Sequence, residues 1–181
     1  MKKKIIRNLK SRLSRIKLIC LDFDGVLTDN TVIHAEDGKE SVVRSRADSL
    51  GIDILSDAGL YDKSNYETAS HNVDIIIMSR ETNPVVSSVA KKIKIKCTQS
   101  EYKKFEAFQE EVRKRELDYS EVLFMGNDLN DIECIKKAGI GVAVADSYPE
   151  VLKAADYITE HKEGRGALRE ICELILKSKK L

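Results

Sequence analysis

With 181 residues, the chain has room for one domain with a substantial buried core. Its composition, 42% hydrophobic and 34% charged with two prolines and no tryptophan, excludes a disordered or fibrous chain. The net charge of +1 conceals an asymmetry: residues 1–17 carry eight Lys or Arg and no acid, leaving 23 basic against 30 acidic residues, which argues against a nucleic-acid groove through the body.

In chain order, Ile5, Leu9, Leu13 and Ile16 fall at helical spacing, so residues 1–16 read as a basic amphipathic helix preceding a domain over 17–181. Three readings of that helix stand: docking on the body, contact with an anionic membrane or partner, or an organelle presequence. It lacks the apolar core of a secretory signal, and no stretch reaches the length of a membrane span. Residues 17–21, "KLICL", follow as a strand that runs directly into Asp22, Asp24 and Asp29. Next, "TVIHAEDGKESVVRSR" places two β-prone runs around Asp37-Gly38, which predicts a hairpin flap over about 30–46. Residues 59–71 are polar and lack a clear period, and read as a helix extension or a loop.

Further strands are predicted at 73–78, 93–97, 121–125 and 141–145, with helices at 84–92, 101–117, 130–138 and 167–177. Most of the strands are nearly continuous in apolar residues, as parallel strands covered on both faces are; "IKIKC" alternates and suits an edge. Strand and helix in alternation predict an α/β fold, a parallel sheet sandwiched by helices. Cys20, Cys97, Cys134 and Cys172 form no CxxC pair, and buried thiols in a reducing cytoplasm are expected rather than disulfides or zinc.

The acids carry the chemistry. Asp22 and Asp24 stand where a strand leaves the sheet, the edge at which ligands bind in open α/β folds, and Gly25 lets the backbone turn closely around whatever is bound. Two carboxylates a few ångströms apart repel by a few kcal/mol. A hard divalent cation removes that penalty, and oxygen ligands with open positions for water and phosphate suit Mg²⁺. A calcium loop is disfavoured, because Gly25 is fourth from Asp22 and a strand precedes it. A second apolar strand runs into Gly126, Asn127, Asp128 and Asp131, so two parallel strands ending alike would bring both acidic groups to one edge.

"LDFDGVLTD", the Ser ending "IIIMS", a Lys near 104 and "GNDLND" together resemble the four motifs of the haloacid dehalogenase superfamily. The resemblance is to its small phosphatases of 2-keto-3-deoxy sugar acids, Rossmann-like in fold and without a large cap domain. It implies that Asp22 is the nucleophile, Asp24 the general acid and base, Ser79 a phosphate ligand and Lys104, or neighbouring Lys103, the charge that steadies the phosphoryl group. Mg²⁺ is the implied cofactor, held by Asp22, Asp24 and Asn127 or Asp128. Asn127 stands where relatives usually carry Asp, which removes one charge from the ion.

The same resemblance implies substrate contacts from Arg46, Asp48, Arg80, Glu81, Lys92 and Arg165, although Lys92 also reads as a solvated helix charge and Arg46 as a hairpin-edge charge. "SRETNPVV" is similar to the branch acting on nine-carbon nonulosonate 9-phosphates, such as those of KDN or N-acylneuraminate. Octulosonate 8-phosphate is the alternative substrate. It also implies a homotetramer with flaps reaching across subunits. A non-catalytic module partnering an acylneuraminate cytidylyltransferase is a further alternative, against which the intact charge cluster speaks.

Overall fold

The computed structural model describes residues 8–68, 72–99 and 103–179. Strands β1 (Leu18–Leu21), β4 (Asp74–Ser79), β5 (Lys96–Gln99), β6 (Val122–Gly126), β7 (Ile140–Ala143) and β8 (Tyr157–Ile158) form one sheet in the order β5-β4-β1-β6-β7-β8. Every pairing between neighbours is parallel. The remaining strands, β2 (Thr28–His34) and β3 (Glu40–Arg44), make a separate antiparallel hairpin whose turn carries Gly38 at φ 81°.

Period-two alternation divides the core between the two faces. Ile19, Leu21, Ile75, Ile77, Leu123 and Met125 pack on one side with helices α2 (Arg46–Asp57), α3 (Pro84–Ile93) and α7 (Ala167–Lys179). Leu18, Cys20, Ile76, Met78, Val122 and Phe124 pack on the other with α4 (Lys104–Lys114), α5 (Ile132–Lys137) and α6 (Pro149–Ala154). The central strands are therefore buried on both faces, which is why they read as unbroken apolar runs. The parallel α/β sandwich expected from the sequence is present, and "IKIKC" does supply an edge strand. All four cysteines are free, three of them buried.

The structure departs from the sequence reading in several places. β5 starts at Lys96 rather than residue 93, because Ile93 completes the buried face of α3 and Lys94 closes that helix in a left-handed conformation at φ 60°. Residues 46–57 form α2, a helix without a clear signal in the sequence: Ser45 caps it by accepting the Ala47 N–H, and Ile52 and Leu55 face the core. Helix α6 and the two-residue β8 are likewise additions to the elements expected from the sequence. At the start, α1 covers only Leu9–Leu13; Leu13 and Ile16 are buried against the body, whereas Ile5 lies outside the described residues. The 59–71 stretch holds a single 3₁₀ turn at Lys63–Asn65, capped by Asp62, and residues 69–71 lie outside the description. Among the described residues, no helix is long and apolar enough to cross a membrane.

Candidate active site

The C-terminal ends of β1, β4 and β6, with the start of α4, converge on one cleft of about 440 Å³. β1 delivers Asp22. Its backbone N–H donates to the Met125 carbonyl at 2.9 Å, carrying the β1–β6 pairing one residue past the strand, and Asp22 Oδ1 accepts the Phe23 N–H at 2.7 Å. The chain then turns at Gly25, whose φ of 74° suits glycine. Space demands glycine there too: a Cβ would come within 1.7 Å of the Asn127 side-chain nitrogen. The β1 and β6 loops thus meet face to face across this glycine. Thr28 Oγ1 donates to Asp24 Oδ1 at 3.3 Å.

Lys104 is the electrostatic centre. Its ammonium lies 2.8 Å from Asp22 Oδ1 and 2.8 Å from Asp131 Oδ1, and all three residues are buried. Lys103 points elsewhere, to Glu106, so of the two lysines it is Lys104 that the structure brings to the acids. Asp131 does a second job through Oδ2, accepting the N–H groups of Asn127 at 3.0 Å and Asp128 at 3.2 Å. It thereby couples the lysine to the loop after β6. The sequence reading noted Asp131 in the acidic group but gave it no role; its distance of three residues from Asp128 was the available signal.

One ammonium shared by two desolvated carboxylates leaves negative charge unmet. Burial, and then the Asp131 charge, push the Asp22 carboxyl up to about 7 against the pull of Lys104. Burial works against the Lys104 ammonium, but the two carboxylates outweigh it and hold the lysine above its ordinary value. Asp24 is also raised, chiefly by burial, with the charges of Glu81 and Glu40 adding to it against the Thr28 hydrogen bond and Lys104.

A divalent cation fits this arrangement. Among the described residues Asn127 Oδ1 has no hydrogen-bond partner, although it is buried in a residue only 3% exposed, beside the Asp22–Asp24 turn. A buried amide oxygen left alone costs free energy unless something accepts its lone pairs. Among the described residues there is no group of three or more His, Cys, Asp or Glu placed to hold a metal. The donor set is instead carboxylate and amide oxygen, hard ligands suited to Mg²⁺. Asp128 is less free, since its Oδ1 already accepts the Leu129 N–H at 2.6 Å.

Ser79, 3% exposed, ends β4 at the cleft wall, where its Oγ accepts the Glu81 N–H at 3.0 Å. Arg80 and Glu81 line the same cleft, as do Asn30, Thr82 and Asn130, which the sequence reading did not single out. The other expected substrate residues are not gathered there. Asp48 is not available to a substrate: it is 1% exposed and spends its carboxylate on the N–H groups of Gly166 and Arg169, each at 3.2 Å, capping α7. Arg46 is exposed at the start of α2 and does not line the cleft. Lys92 is exposed near the far end of α3, about two turns from the helix start and outside the cleft lining. Arg165 lines a separate cleft beside α7 and reaches Asp29 at 3.4 Å, at the root of the flap.

Comparison with known proteins matches residues 28–171 to the family described as haloacid dehalogenase-like hydrolase. The chain belongs to that family. It is a phosphomonoesterase of the haloacid dehalogenase type. It is 32% identical over 169 residues to 3-deoxy-D-manno-octulosonate 8-phosphate phosphatase of Salmonella typhi, covering 93% of this chain and 84% of that protein. A hydrolase of the same superfamily, subfamily III A, from Legionella pneumophila superposes with a TM-score of 0.84 at 31% identity, covering 94% and 87% of the two chains. The octulosonate 8-phosphate phosphatase of Moraxella catarrhalis, solved with magnesium, phosphate and KDO, superposes with a TM-score of 0.82 at 29% identity, covering 94% and 91%.

Proposed function

We propose that this haloacid dehalogenase-type enzyme is a Mg²⁺-dependent phosphatase of a 2-keto-3-deoxy sugar acid phosphate, with 3-deoxy-D-manno-octulosonate 8-phosphate as its first candidate substrate. The observation that carries the chemistry is the buried Asp22–Lys104–Asp131 bridge beside the unpartnered Asn127 oxygen. The relatives carry the substrate.

In this reading Asp22 attacks phosphorus, forming an aspartyl phosphate while the bond to the sugar oxygen breaks. Asp24 gives its proton to that departing oxygen, and burial, which raises its carboxyl, favours the protonated form that this role needs. Asp24 then takes a proton from water as the water attacks phosphorus, and the Asp22–phosphorus bond breaks to release phosphate. Lys104 keeps its charge beside the reacting oxygen, and the Ser79 hydroxyl donates to a phosphoryl oxygen. Asp22, the Asp24 carbonyl and the Asn127 amide oxygen would hold Mg²⁺, with Asp128 accepting from its waters. Bound there, Mg²⁺ offsets the charge of the nucleophile and of the phosphoryl oxygens.

A second reading, the nine-carbon nonulosonate 9-phosphates favoured by the sequence, keeps support from Arg80 and Glu81 on the cleft wall. Glu81, however, turns its carboxylate onto the N–H groups of Thr82 at 2.7 Å and Asn83 at 2.8 Å, which leaves it less free for a longer sugar. Phosphate release from octulosonate 8-phosphate, KDN 9-phosphate and acetyl phosphate, each with Mg²⁺ and with chelator, tests both readings. A higher kcat/KM on the eight-carbon ester supports the first; a higher value on the nine-carbon ester replaces it with the second. Release that ignores chelation removes the metal from the account.

The homotetramer belongs to the same proposal. Val32, Ile33 and Val43 leave 43%, 59% and 42% of their surface exposed on the flap, apolar area that a neighbouring subunit would cover. Light scattering that returns a monomer at micromolar concentration would remove it. Nothing in the geometry adds support for a cytidylyltransferase partner.

A further inference from the structure

The loop between β4 and α3 is held by a run of hydrogen bonds to its peptide groups, and one set of them comes from outside it. Within the loop, Ser79 Oγ accepts from Glu81, the Glu81 carboxylate accepts from Thr82 and Asn83, and Asn83 Oδ1 accepts the Val85 N–H at 2.9 Å to cap α3. Those bonds use donors only. The carbonyls of Glu81 and Asn83 are taken by the Gln99 side chain, whose Nε2 donates to them at 2.8 and 3.1 Å. With two carbonyl oxygens as partners, the amide nitrogen must be the end that faces the loop. Gln99 Oε1 is turned toward the Cys97 thiol, 3.9 Å away.

Gln99 is also the β5 register partner of Ser79. Its backbone therefore holds Ser79 through the sheet, while its side chain independently clasps the loop beyond. These two attachments separate two parts of the cleft. Ser79 and the phosphate end are set by the sheet. Arg80, Glu81 and Thr82, which line the cleft next to Ser79, belong to the loop whose Glu81 and Asn83 carbonyls the clasp holds.

We propose that Gln99 is a positioning residue for substrate selection: it fixes the 80–83 wall against the sugar and leaves the phosphoryl chemistry to the sheet-borne residues. The proposal rests on the sugar acid phosphatase reading. It makes a sequence element outside the catalytic motifs responsible for which ester is accepted.

The test is Gln99→Leu, near in size but without donors, on a half-buried position. Kinetics on octulosonate 8-phosphate and acetyl phosphate are paired with amide hydrogen exchange of the peptide spanning 80–85 and with the melting temperature. The expected result is a KM for the sugar ester raised about tenfold, the scale of two lost hydrogen bonds, with kcat and all acetyl phosphate constants unchanged. Exchange at residues 81–83 quickens while the melting temperature holds. Equal losses on both substrates, or an unchanged sugar KM, overturns the proposal. If the wild type cleaves acetyl phosphate but no sugar acid phosphate, the substrate reading has failed instead. Exchange then decides for Gln99, with faster exchange supporting the clasp and unchanged exchange overturning it.

Discussion

Lys104 Nζ lies 2.8 Å from Asp22 Oδ1, a contact made between the first residue of α4 and the end of β1, 82 positions apart in the chain. The ammonium is also bonded by Asp131 at 2.8 Å, which holds it beside Asp22. Replacing Lys104 by Met leaves two buried carboxylates unpaired. We expect kcat to fall by about 10²- to 10³-fold, the scale of losing one preorganised charge at a reacting oxygen. Asp131→Asn keeps an oxygen for the loop N–H groups but loosens the lysine and should cost less. Steady-state kinetics on any accepted ester checks the order; an Asp131 variant worse than the Lys104 variant would contradict it.

Gly25 is fixed by its left-handed backbone and by the Asn127 amide lying where a side chain would stand. Gly25→Ala should therefore displace Asn127 and weaken Mg²⁺ binding, with a backbone cost of about 1–2 kcal/mol. Calorimetric Mg²⁺ titration of the variant is the check, and wild-type affinity would show that the two loops do not meet as described.

Asn127 offers an ion a neutral oxygen. Asn127→Asp adds a negative charge to a buried donor set, so we expect tighter Mg²⁺ and, without metal, a lower melting temperature from unrelieved repulsion. Asn127→Ala should weaken Mg²⁺ more than Asp128→Ala. Thermal melts across a Mg²⁺ series measure both, and the reverse ranking would make Asp128 the closer donor.

Away from the site, Arg115 joins α4 to β4, bonding Asp74 at 2.7 Å and also Glu111. Burial works to raise the Glu111 carboxyl, but the hydrogen bond and charge of Arg115, with Lys96 and Lys114, hold it below its ordinary value. A depressed folded value stabilises the fold above the unfolded glutamate value of about 4.3, and that contribution disappears as the pH falls through the folded one. Glu111→Gln should therefore cost about 3 kcal/mol at pH 7 and much less at pH 3. Urea midpoints at the two pH values report the difference; an equal gap at both would remove the charge from the explanation.

The parts of this molecule that were legible in its sequence are those whose signal is local. The apolar runs of β1, β4 and β6 are readable because each strand is buried on both faces, and Asp22 and Asn127 each follow one of them directly. The flap announced itself through Asp37-Gly38. Helix α2 stayed hidden because Gly51 interrupts its pattern, and that glycine is explained only by the α7 backbone: a Cβ would come within 2.7 Å of Arg169 Cα. Asp48 shows the same limit. Its carboxylate beside an arginine looks like substrate recognition in one dimension, whereas in three it caps a helix 118 residues further along. Gln99 carries no local sign of its partners, since both are carbonyls supplied by the fold.

The most direct test of the central claim is to mix the enzyme with a cleaved ester and Mg²⁺, quench in acid within the first turnover, and map the products by mass spectrometry. A phosphoryl group on the peptide containing Asp22, absent from Asp22→Asn and from the chelated enzyme, is the result the account predicts. Turnover without label on that peptide, or label that persists in the Asp22 variant, would contradict it.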